Sequence, residues 1–173
     1  MPVINYLKVD PTSRLVIYEE IHGLTLIDSL KIDKKLTYAL IKRGGYYIAK
    51  LHQAGLIHGD LKINSHFIFD LKNKKITIID LEKIKKVSSL IYFVKELNYI
   101  SHKLSREIIA TSHIKNVWNN FIIGYKKSTW PKAEKIIKQT KFPSKNILHR
   151  TILKTWHSFD NWLKIISRGK LKF

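Results

Sequence analysis

The sequence predicts an α+β domain, mostly helical, in which a short antiparallel β pair precedes the helices and a β-hairpin interrupts them. Three observations predict it. Two β-favouring runs flank a turn near the N-terminus, one long segment carries apolar residues at helical spacing, and two further short apolar runs flank the polar stretch Asp70–Lys75. With 173 residues and 45% hydrophobic content the chain has room for one domain with a core, and a single domain over residues 1–173 is expected.

Residues 3–9 and 14–21 are rich in Val, Ile, Leu and Tyr, and Asp10-Pro11-Thr12-Ser13 between them is turn chemistry, so an antiparallel pair is expected. His22-Gly23 breaks the second run, and Thr25 or Asp28 is positioned to cap a short helix through Leu30. From Asp33 the residues Leu36, Leu40, Tyr47, Ile48 and Leu51 recur at helical spacing, with Asp33 as N-cap and Gly55 past the end, which predicts a helix of about 20 residues. Gly44-Gly45 inside it costs about 1 kcal/mol per glycine relative to Ala, so either something packs closely there or the helix bends.

Phe67-Ile68-Phe69, the turn Asp70–Lys75 and Ile76–Asp80 predict the hairpin. From about Ser88 to Phe173 the pattern is helical, punctuated by Pro131 and Pro143, with Trp118, Trp130, Trp156 and Trp162 expected as core anchors rather than a stacking platform. There is no internal repeat or low-complexity segment.

The chain has no cysteine, which excludes disulfide scaffolds and thiolate metal sites, so any metal must sit on oxygen or imidazole. A net charge of +19 points to an anionic partner: nucleic acid, an acidic membrane face or a polyanionic substrate. Its make-up, 27 Lys against 5 Arg alongside 27 Ile, is also the signature of AT-rich codons. Scarce Arg counts against base reading, which favours the planar guanidinium fork. The N-terminus lacks a basic segment followed by an apolar one, and no apolar run approaches the roughly 20 residues of a spanning helix, so a cytoplasmic protein is expected.

The run Leu51-His52-Gln53-Ala54-Gly55-Leu56-Ile57-His58-Gly59-Asp60-Leu61-Lys62 places His and Asp in a loop after a helix, and the hairpin returns a second acid, Asp80, to the same place. This order resembles the protein-kinase-like superfamily, with its His-x-Asp catalytic loop and an Asp-Phe-Gly-type metal ligand. Transfer of a γ-phosphoryl group needs one carboxylate to orient or accept the proton of the attacking hydroxyl and another to hold Mg²⁺ against the phosphates. The resemblance assigns the first role to Asp60 and the second to Asp80, with ATP and Mg²⁺ as cofactors. It places Lys62 where an ammonium stands beside the transferring phosphate, although one more solvated lysine is an equally available reading. It gives His58 a structural task in the catalytic loop, packing under the metal-binding Asp. Leu15–Gly23 resembles the strand and hinge that receive adenine, where backbone groups at Glu19, Glu20 and Ile21 would bind the base edge. Residues 1–23 then correspond to a remnant of N-lobe strands and hinge, and residues 24–173 to a helical C-lobe.

Between Asp80 and the next apolar stretch, Leu90–Leu97, there is no room for a long activation segment, and Gly59 stands where protein kinases carry Arg. The Leu-His-Gln-Ala-Gly-Leu-Ile-His-Gly-Asp-Leu-Lys run and the basic Ile-Asp-Leu-Glu-Lys-Ile-Lys-Lys stretch are similar to the lipopolysaccharide core kinase (Kdo/WaaP) family. That resemblance implies an anionic glycolipid acceptor, a sugar hydroxyl as nucleophile, and work at the inner face of the cell membrane. The small archaeal-type kinase or ATPase that partners the tRNA threonylcarbamoylation machinery shares His-Gly-Asp-Leu and is the second resemblance.

The chain departs from the pattern in two places. It begins at what resembles the fourth N-lobe strand, and the glycine-rich loop, the phosphate-binding Lys and its Glu partner have no counterpart, so weak nucleotide binding by this chain alone is expected. Five residues after Asp60, where the second metal ligand belongs, stands Ser65, flanked by Asn64 and His66, and any of the three could supply it. A pseudokinase or interaction module and a basic nucleic-acid-binding protein remain the alternatives, the latter with salt-sensitive affinity indifferent to Asp60 and Asp80.

Overall fold

The structure, a computed structural model, describes residues 6–10, 15–18, 20–107 and 111–141. Strands β1 (Tyr6–Asp10) and β2 (Leu15–Tyr18) pair antiparallel, with an irregularity between Tyr6 and Lys8. Helix α1 (Leu26–Ile32) follows, then the 20-residue α2 (Lys34–Gln53). Strand β3 (Leu56–Ile57), the one-turn helix α3 (Ile63–His66) and the hairpin β4 (Phe67–Asp70) and β5 (Lys75–Ile78) come next. A 3₁₀ turn over Leu81–Lys83 leads to β6 (Lys85–Lys86), and α4 (Leu90–Glu107), α5 (Thr111–Lys126) and α6 (Ala133–Gln139) complete the described fold. The α+β reading holds: helices dominate and each sheet has two antiparallel strands.

Helix α2 starts where the capping residue dictates: the Asp33 side chain accepts from the Leu36 N–H at 2.9 Å. It ends where Gly55 adopts φ +77° and donates its N–H to the His52 carbonyl at 2.9 Å. The helix is continuous through both internal glycines, and close packing is what requires them. A Cβ on Gly44 would stand 2.4 Å from the Phe67 ring, and one on Gly45 would stand 2.0 Å from the Phe121 carbonyl oxygen of α5. From the other side, a Cβ on Gly124 would lie 1.7 Å from the Lys42 carbonyl oxygen. The backbones of α2 and α5 therefore meet directly. Gly124→Ala is expected to cost about 3 kcal/mol, the upper part of the overpacking range, because backbone rather than a flexible side chain must yield. A urea-unfolding midpoint equal to wild type would show instead that the two helices part freely.

The hairpin pairs Phe67 with Ile78 and Phe69 with Ile76, and all four side chains are fully buried. Its turn is closed by the Asp70 carboxylate, which accepts from the Asn73 N–H at 2.9 Å and from its side-chain amide at 2.7 Å. Leu24 and Phe69 exchange two backbone hydrogen bonds at 2.9 Å, fastening the segment after β2 to the hairpin.

Several boundaries differ from expectation. β2 ends at Tyr18, and residues 20–23 lie outside any strand. Thr25, not Asp28, caps α1, which extends to Ile32 while Asp28 sits in its first turn. The pair of β3 with β6 and the helix α3 were not foreseen, since two-residue strands and a single turn carry no periodicity. Trp118 is buried and Trp130 packs on the core, as expected. Trp156, Trp162, Pro143, the helical pattern beyond Lys141 and the turn residues Pro11 to Ser13 lie outside the described residues, and so does part of the single-domain expectation.

Candidate active site

Two-residue β3 delivers the chain into His58-Gly59-Asp60, and its partner β6 brings in the segment after Asp80: Leu56 faces Lys86 and Ile57 faces Lys85. His58 is fully buried, donates Nε2–H to the Ile79 carbonyl at 3.2 Å and stacks on His66 at 5.5 Å between ring centroids. It ties the loop to the residue before Asp80. Gly59 has φ +89°, and a Cβ there would lie 2.6 Å from the Lys83 carbonyl oxygen. Glycine is thus a steric requirement at this position, beyond the loss of an Arg read from the sequence.

Asp60 is gripped on both oxygens. Oδ1 accepts from the Tyr99 hydroxyl, and Oδ2 faces Lys83 Nζ at 2.8 Å and Lys62 Nζ at 3.5 Å. Partial burial pushes its carboxyl up, but the Lys83 and Tyr99 hydrogen bonds and the charges of Lys62 and Lys83 together outweigh this and hold it well below the usual carboxylate range. The Lys83 ammonium is raised in return, chiefly through its hydrogen bond to Asp60.

Asp80 adopts a left-handed backbone, φ 61° and ψ 57°, two residues past β5, and leaves its side chain 36% exposed. Oδ2 lies 3.4 Å from His66 Nε2. Burial pulls the His66 imidazole below its ordinary range, opposed by Asp80 and reinforced by His58 and Lys62. Of the three candidates on α3, His66 contacts Asp80, Asn64 has a buried side-chain oxygen with no hydrogen-bond partner, and Ser65 is exposed. Among the described residues no three His, Asp or Glu side chains form a metal cage. A Mg²⁺ site of the kind completed by water and substrate phosphates needs only one or two carboxylates. The open Asp80 carboxylate and the unpartnered Asn64 oxygen are hard donors that fit such an ion.

At the expected hinge, Glu20 is exposed with a carboxylate oxygen 3.7 Å from His22 Nδ1, Ile21 is half-buried, and Glu19 lies outside the described residues.

Sequence reasoning missed a buried chain behind the loop. The Tyr125 hydroxyl lies 2.7 Å from His52 Nδ1, His52 Nε2 lies 2.6 Å from Glu96 Oε2, and Glu96 Oε1 accepts the Gly59 N–H at 2.7 Å. Burial, aided by the Glu96 charge, pushes the Tyr125 phenol well above its ordinary range. Among the described histidines other than His58, His22 is exposed and His102 and His113 are half-buried, while His52 and His66 are buried. The available signal was an acid on the apolar face of α4, between Phe93 and Val94 on one side and Leu97 and Ile100 on the other. Lys83 and Tyr99 were missed because nothing in a lysine-rich sequence marks one lysine or one tyrosine for Asp60.

No curated protein matches this sequence. The family described as Lipopolysaccharide kinase (Kdo/WaaP) matches residues 4–125, a span that contains every site residue above, from the hinge to Tyr125. A kinase family accounts for two carboxylates presented by a loop and the end of a hairpin, and the chain belongs to the lipopolysaccharide kinase (Kdo/WaaP) family.

Proposed function

We propose that the chain is an ATP-dependent phosphotransferase that phosphorylates a sugar hydroxyl of an anionic glycolipid at the cytoplasmic face of the cell membrane. The observation that carries the reading is the family match across residues 4–125, which spans the cluster of Asp60, Lys62, Asp80 and His66. Asp60 takes the proton of the acceptor hydroxyl, and Lys62 stands beside the transferring phosphoryl group. Mg²⁺, held by Asp80 with Asn64 as the candidate second ligand, would neutralise phosphate charge. His66 orients the Asp80 carboxylate from behind. The segment from residue 20 to 23 borders the nucleotide side, tied to the hairpin through Leu24.

Support for an acidic acceptor comes from exposed Lys83, Lys85 and Lys86, which follow Asp80 and, through the β3–β6 pair, flank the catalytic loop. Each Lys near an anionic leaflet adds about 1 kcal/mol of attraction. No helix among the described residues is long and apolar enough to cross a membrane, which is compatible with peripheral attachment.

The test is calorimetric titration of Mg-ATP into the protein and into Asp80→Asn, at salt high enough to suppress non-specific binding to lysines. Mg²⁺-dependent binding that weakens about tenfold or more in the variant is expected, as for loss of a charge-assisted ligand. Absent binding, or equal binding by both proteins, would leave the chain as an interaction module built on a kinase-like lobe.

A further inference from the structure

A general base must keep a carboxylate lone pair open within about 2.6–3.2 Å of the hydroxyl it serves. Asp60 keeps few open: Tyr99 takes one position on Oδ1, while Lys83 at 2.8 Å and Lys62 at 3.5 Å crowd Oδ2. With the side chain only 19% exposed, the three donors cover most of what an acceptor could approach.

The three are not held alike. Tyr99 is mounted on the 18-residue helix α4, and Lys62 belongs to the catalytic loop itself. The Lys83 side chain is 53% exposed on a long flexible stem, and an ion pair open to water in this way is weak. Its main chain, in contrast, is fixed. The Ile84 N–H donates to the Leu81 carbonyl at 3.1 Å, and the Lys83 carbonyl presses on Gly59, where a Cβ would come within 2.6 Å. The ammonium can therefore leave Asp60 while its base stays beside the loop.

Two ammoniums, Lys62 and Lys83, converge on a single carboxylate oxygen. Asp80 and Glu82 attract Lys83 at longer range. A compact anion with several acceptor oxygens entering here meets both cations and offers Lys83 a partner at least as strong as Asp60.

We propose that Lys83 is a phosphate-binding residue that caps Asp60 in the free protein and passes its ammonium to an incoming phosphate-type anion, opening Oδ2 to the acceptor hydroxyl. The catalytic consequence rests on Asp60 being the proton acceptor; the phosphate binding does not. The anion has two sources, the γ-phosphoryl group of the nucleotide and a phosphate carried by the acceptor.

The experiment follows the Asp60 carboxyl ¹³C resonance, assigned by its loss in Asp60→Asn, in the full chain. Inorganic phosphate is titrated without nucleotide into wild type, Lys83→Met and, as an equal loss of charge, Lys72→Met on the hairpin turn. Phosphate is expected to move the wild-type resonance toward its position in anion-free Lys83→Met. Phosphate affinity is expected to fall about tenfold in Lys83→Met and to stay near wild type in Lys72→Met. A resonance that phosphate leaves unmoved, or equal weakening in both variants, overturns the proposal. Mg-AMP-PNP moving the resonance where Mg-ADP does not assigns the anion to the γ-phosphoryl group. If free phosphate still moves it with Mg-AMP-PNP bound, the acceptor is the source. Failure of Mg-ATP to bind would sink the phosphotransferase reading, while the nucleotide-free titration would still decide the role of Lys83.

Discussion

Asp60→Asn is expected to lower phosphoryl transfer by about 10²- to 10⁴-fold, the usual worth of a positioned general base, without weakening Mg-ATP binding. The amide retains an oxygen for the Tyr99 hydroxyl but presents an NH₂ group, or no charge, to Lys62 and Lys83. Binding and turnover therefore separate: Asp80→Asn weakens the nucleotide complex and Asp60→Asn silences it. Steady-state turnover beside calorimetry on the same samples reads both. Full turnover in Asp60→Asn would show that another group receives the proton. The carboxyl is held below the usual range, so any stability from its contacts is complete above ordinary carboxylate pKa values and is lost only as pH falls through the depressed value. An acidic limb of activity near neutral pH must accordingly come from another group.

Glu96→Ala is expected to destabilise the protein by about 3–5 kcal/mol, because it leaves His52 and the Gly59 amide without their partner in a buried site. Glu96 and His52 are 5% and 1% exposed, so water cannot readily substitute for the lost carboxylate. Glu96→Gln is the informative comparison. Its oxygen still accepts from Gly59, and its NH₂ can donate to His52 Nε2 once the imidazole proton moves to Nδ1 and is donated to the Tyr125 oxygen. A much smaller loss for Gln than for Ala is expected in urea unfolding followed by tryptophan fluorescence, with Trp130 close to His52 as a reporter. Equal losses would mean that the negative charge, rather than the hydrogen-bond chain, holds the loop.

Much of the scaffold was legible because it rests on local chemistry. Asp33 caps α2 through a neighbour three residues on, Gly55 ends it with a positive φ, and Asp70 closes the hairpin turn. The short apolar runs on either side of that turn gave the hairpin, while its register, Phe67 opposite Ile78 and Phe69 opposite Ile76, came from the structure. Gly44-Gly45 was legible as a choice between a bend and a close contact. Resolving it needed Phe67 and Phe121, the latter 76 residues from Gly45 along the chain.

By itself the sequence determined the elements that carry the site and the residue types at its centre: a loop with His58 and Asp60, a hairpin delivering Asp80, and a kinase-like order linking them. Capping, turn formation and strand alternation act over a few residues and so are written locally. Tertiary structure alone decided that Glu96, His52 and Tyr125 hold the His58–Asp60 loop, that Tyr99 and Lys83 share Asp60, and that His66 lies against Asp80. These partners lie on different elements, up to 73 residues apart, and a charge or hydroxyl acquires its role only when packing sets its distance and removes competing water.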